Sequence, residues 1–112
     1  MNIPVTDKDL DAVLARYVRA CKRLELIPEG MRVGLDHGSK TYGRAFRVYL
    51  TGIRAEDGSY PQGSGHRQPP AGRDFLGMTK REAFNVLAER AWALEDVAYA
   101  LGLREAIAES VK

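Results

Sequence analysis

Cysteine is nearly absent: the 112-residue chain has one, Cys21. A single thiol excludes an internal disulfide framework and a multi-cysteine zinc site. Histidine is sparse too. His37 and His66 are the only two, and neither stands at ligand spacing with the other or with Cys21. No metal site and no cofactor are therefore expected. No apolar run approaches the roughly 18 residues that would cross a bilayer. The opening MNIPVTDKDLDAV carries acids where a secretory leader would carry bases and then an apolar block. The expected setting is the cytoplasm, with no membrane contact. Charge of one sign is also lacking: 17 bases against 15 acids leave +2. That balance does not by itself imply a nucleic-acid partner. What is present, 45% hydrophobic and 29% charged residues, is ordinary for a folded domain, and the length fits one domain over 1–112.

The small net charge is unevenly spread. Residues 1–28 carry five bases and four acids, and residues 79–112 carry five bases and six acids. Between them, residues 32–54 hold Arg32, Lys40, Arg44, Arg47 and Arg54 against Asp36 alone, a local net of +4. Arginine outnumbers lysine twelve to five. Its planar fork suits bidentate pairing with carboxylate or phosphate.

Periodicity predicts an α+β chain. Thr6 is a good N-cap with Asp9 three residues on, and Leu10, Leu14, Tyr17, Cys21 and Leu24 form one apolar stripe. A first amphipathic helix is expected from Asp7 to Leu26, stopped by Pro28-Glu29-Gly30. A β-hairpin follows. Met31, Val33 and Leu35 alternate with polar residues, the segment from His37 to Thr41 is turn material, and a second strand is expected from Tyr42 to Ile53. Phe46, Val48 and Leu50 should face the helices, leaving Arg47 and Tyr49 outward. Residues 54–74, with four glycines and three prolines, read as one long irregular loop. Thr79-Lys80-Arg81-Glu82 is a capping box, opening a second helix with Phe84, Leu87, Ala91, Leu94, Ala98 and Leu101 on its apolar stripe. Trp92 and Tyr99, seven apart, flank that stripe as core or interface anchors. Gly102 is expected to cap this helix in a left-handed conformation, with a short terminal helix over 104–111 that turns Ile107 and Val111 inward.

A lone hairpin is marginal and exposes two open edges. Either the loop or termini cover them, or two copies pair their hairpins into a homodimer with a four-stranded sheet.

Candidate chemistry is thin. Asp36, His37, Ser39 and Lys40 crowd one turn, yet adjacent residues rarely reach nucleophile–base geometry. Gly38-Ser39-Lys40-Thr41 lacks the Gly-Lys adjacency and the following helix of a phosphate-binding loop. Cys21 on the apolar stripe reads as a small buried hydrophobe, and His66 as a solvated loop residue. The surface that stands out is the outer hairpin face, where Arg and Tyr resemble interface hot-spot composition.

GLDHGSKTYGRAFRVYL and FLGMTKREAFNVLAERAWALEDVAYALG resemble small uncharacterised proteins of actinobacteriophages of the mycobacteriophage type. The likeness spans roughly residues 31–101 and lies in an SKTYGRA turn after a strand, then an MTK-x-E-A helix ending in ALG. It implies a phage gene product acting in the bacterial host cytoplasm, and it brings no catalytic residue. The expected function is thus a non-enzymatic protein-interaction module that contacts a host or phage protein through the basic hairpin face, with Arg32, Lys40, Arg44, Arg47 and Tyr49, and through the 54–74 loop. The alternative is a nucleic-acid-binding module using the basic hairpin; a small enzyme built on Asp36, His37 and Ser39 is the third reading.

Overall fold

Thr6 starts the first helix as its side chain dictates. Its hydroxyl accepts the Asp9 N–H at 3.2 Å, and the Asp9 carboxylate accepts the Thr6 N–H at 2.9 Å, a reciprocal capping box. The computed structural model describes residues 3–38, 45–59 and 65–110. Its elements are α1 (Asp7–Arg23), β1 (Met31–Asp36), β2 (Phe46–Gly52), β3 (Phe75–Gly77) and α2 (Lys80–Ser110). The α+β class expected from periodicity holds, and the element order differs in three places.

First, α1 stops at Arg23 rather than Leu26. The Leu26 N–H reaches the Cys21 carbonyl at 2.9 Å and the Glu25 N–H reaches Lys22 at 3.1 Å, with Glu25 at φ 57°. These are the two bonds of a Schellman stop, made without glycine. Second, the long loop does not leave β2 with an open edge. β3 pairs antiparallel with β2, the Arg67 backbone exchanges both hydrogen bonds with Leu50, and the Val48 N–H donates to Asp74 O at 2.9 Å. The sheet order is β1-β2-β3, and the far edge of β1 stays unpaired among the described residues. Third, α2 is one helix of 31 residues that runs straight through Gly102. The left-handed cap and the separate terminal helix are not formed, and Ile107 is 61% exposed rather than inward. Val111 and the segment 39–44 lie outside the described residues.

β1 and β2 pair antiparallel with the expected inner faces together, Val33 opposite Leu50 and Leu35 opposite Val48. One sheet face therefore carries Phe46, Val48 and Leu50, all buried, and through Phe46 and Val48 it packs with Leu10, Val13, Tyr17, Cys21, Leu76, Leu87 and Ala91 into a single core. Both helices lie on that face. Asp7 meets Lys80 at 3.0 Å and Arg16 meets Glu95 at 2.9 Å, so α1 and α2 run in the same direction. Tyr17 is fully buried, and its hydroxyl donates to the Pro70 carbonyl, tying the 69–72 segment onto the core. Burial raises the Tyr17 phenol and the Cys21 thiol above their ordinary pKa values. At about 1.5 Å per residue, α1 spans roughly 26 Å and α2 roughly 47 Å. The buried stripe of α2 ends at Ala98; from Tyr99 onward every described residue but Gly102 is exposed.

Candidate functional site

The face of the sheet away from the helices holds a cleft of about 510 Å³. Antiparallel register sets its floor. Arg47 stands opposite Asp36, and Tyr49 stands opposite Gly34, on the outer side of the pleat. The Tyr49 ring lies directly over Gly34: a Cβ there would sit 2.6 Å from the ring. Only glycine admits this close approach.

The walls come from the loop. His66 stacks on Tyr49, with centroids 4.2 Å apart and planes at 22°. The ring thus touches both the Gly34 backbone and the His66 imidazole. Asp74 pairs with Arg47 at 3.3 Å, and its own N–H donates to the Gln68 side chain at 3.1 Å. The Phe75 ring lies 6.0 Å from the Arg47 guanidinium. Arg67, pinned through its backbone to Leu50, completes the lining. Among the described residues the cleft carries Asp36 and Asp74 against Arg47 and Arg67, so its described lining is mixed in charge.

Of the five residues expected to form the contact surface, Arg47 and Tyr49 are brought together here. Arg32 is exposed on the same outer face, opposite Thr51 and outside the cleft. Lys40 and Arg44 lie outside the described residues. Sequence reasoning expected the 54–74 loop to share in contact but did not single out His66, Arg67, Gln68 or Asp74, and it read His66 as solvated. One signal was available: Pro69 and Pro70 bias the preceding residues toward extended backbone, as an added edge segment needs.

The turn after β1 does not assemble a catalytic constellation. The Asp36 carboxylate accepts the Gly38 N–H at 2.9 Å, closing a local turn. His37 faces a different partner, with Nδ1 at 3.7 Å from Asp7 and its ring tilted against Phe46. The Asp7 carboxyl is held below its usual range, first by the Lys80 hydrogen bond and charge. Ser39 lies outside the described residues. Among the described residues no three His, Cys, Asp or Glu side chains converge as a metal set, and no helix is long and apolar enough to cross a membrane.

Comparison with known proteins finds no matching family model, no matching curated protein and no matching solved structure.

Proposed function

We propose that the protein is a non-enzymatic interaction module that binds another protein through the outer-face cleft. The observation that carries this reading is the ordered Gly34–Tyr49–His66 stack, flanked by the Arg47–Asp74 pair and Arg67. Tyr and Arg supply contact area and planar hydrogen bonding, and both are enriched where proteins meet. The mixed charge of the described lining suits a polar protein surface better than a phosphate backbone, which calls for clustered positive charge. The Tyr49 ring already stacks on His66 and lies against Gly34, which leaves less of it as a platform for a base. These two features favour a protein partner over nucleic acid. A phage accessory role in a bacterial host cytoplasm belongs to the same proposal.

The test is affinity capture from a nuclease-treated bacterial lysate, comparing wild type with a His66→Ala/Arg67→Glu variant. Both side chains are exposed, so thermal stability should be unchanged. The expected result is a specific captured protein that the variant loses. Capture that the variant retains, or that nuclease abolishes, would overturn the reading.

A further inference from the structure

The outer side of α2, opposite the buried stripe of Ala91, Leu94 and Ala98, carries a second apolar stripe. Trp92 is 64% exposed, Tyr99 66%, Leu103 47% and Ile107 61%, at intervals of seven, four and four residues. That spacing places all four on one side of a helix. α1 packs alongside the buried stripe, with Arg16 reaching a groove that Trp92 also lines, and it ends too early to reach the last turns.

We propose that this face is where two copies of the chain associate, their α2 helices packed antiparallel about a two-fold axis at Ala100. Three observations fix the occupant as a second copy. The first is charge. Asp96 lies four residues before Ala100 and Arg104 four after it, so an antiparallel two-fold sets Asp96 of each copy against Arg104 of the other. Among the described residues neither side chain has an ion-pair partner within its own chain. A parallel pairing would instead oppose Asp96 to Asp96. The second is shape. Ala93 and Ile107 are each seven residues from Ala100. The symmetry therefore aims each Ile107 at a groove of about 270 Å³ lined by Glu89, Trp92, Ala93 and Asp96 on the other copy. The third is area. With aromatic side chains of about 150–250 Å², the exposed parts of the four residues sum to roughly 500 Å² per chain. Two such faces bury about 1,000 Å², the lower bound of a specific interface. The contact is isologous and closes at two copies.

Sedimentation across a concentration series should show reversible association, with the mass rising from 12.4 kDa to about twice that near 100 μM. Asp96→Arg and Arg104→Asp should each be monomeric at the same concentration, because each places like charges in apposition twice. Mixed one to one, the two monomeric variants should associate again, since both cross-pairs become complementary. Circular dichroism of each variant checks that the exposed substitution leaves the helix intact. A wild type that stays at the monomer mass overturns the proposal. So does a dimer that both single variants retain, which would place the contact elsewhere, for example at the free β1 edge. Two monomeric variants that fail to associate when mixed would overturn the antiparallel register.

Discussion

Glu25 sits at φ 57°, a left-handed conformation in which its Cβ crowds the following carbonyl oxygen. The position is C′ of the Schellman stop, where glycine is the common choice. Glu25→Gly should therefore stabilise the protein by about 1 kcal/mol, read as a raised denaturant midpoint. Gly34 presents the opposite situation. Gly34→Ala inserts a methyl where the Tyr49 ring now lies, and the ring must swing outward. The substitution should leave the core packed, yet break the Tyr49–His66 stack and the partner capture that depends on it. Loss of the Tyr49–His66 proximity signal by NMR, with a thermal midpoint within a few degrees of wild type, is the expected outcome. Tyr49 was legible as outward-facing from strand alternation alone. Its glycine partner was not, because register across a hairpin depends on how the turn closes.

At the scale of elements, α2 is the most instructive. Its start was legible from Thr79, whose hydroxyl accepts the Glu82 N–H at 3.1 Å. Its end was not. Gly102 in a helix interior costs about 1 kcal/mol relative to alanine, and the strong formers around it, Leu101, Leu103, Arg104 and Glu105, carry the helix past that cost. Nothing lies within 4 Å of a Cβ placed at Gly102. Gly102→Ala should therefore raise stability by about 0.5–1 kcal/mol. A left-handed cap at this residue would give a loss instead, so a urea titration separates the two. β3 was illegible for a different reason. Phe75-Leu76-Gly77 is too short to show alternation, and its strand character comes from pairing with β2 and packing under α2. The same holds for the edge segment at Arg67. The cleft walls were hidden because long-range pairing leaves little trace in local composition.

For the molecule as a whole, the ionisable groups define a window of stability. Asp7, Asp9 and Glu95 have carboxyls held below their ordinary range, chiefly by hydrogen bonds from Lys80, the Thr6 backbone and Arg16. Groups lowered in the folded state contribute above their unfolded values near 4 and lose that contribution as pH falls through the lowered ones. Asp7 and Asp9 are exposed and Glu95 is partly so, and the acid side should decline gently. Tyr17 and Cys21 behave with the opposite sign. Burial raises both, so their contribution is complete below the ordinary values of 10.0 and 9.0 and is lost as pH rises beyond them. Urea midpoints should be level from about pH 5 to 9 and fall on either side. Tyr17→Phe should flatten the alkaline decline. It should also lower stability at neutral pH by about 1 kcal/mol, because the Pro70 carbonyl loses its donor.

β2 is held from both sides by different stretches of chain. Val48 and Leu50 donate toward the 67–74 segment, so by strand alternation the Tyr49 amide points to β1. Amide hydrogen exchange along this one strand should then separate into two channels. Val48 and Leu50 would time the lifting of the 67–74 segment, while Tyr49 would time the parting of the hairpin. If the segment opens at lower free energy than the sheet, neighbouring amides a single residue apart will exchange at different rates. A partner seated in the cleft would then slow Val48 and Leu50 first.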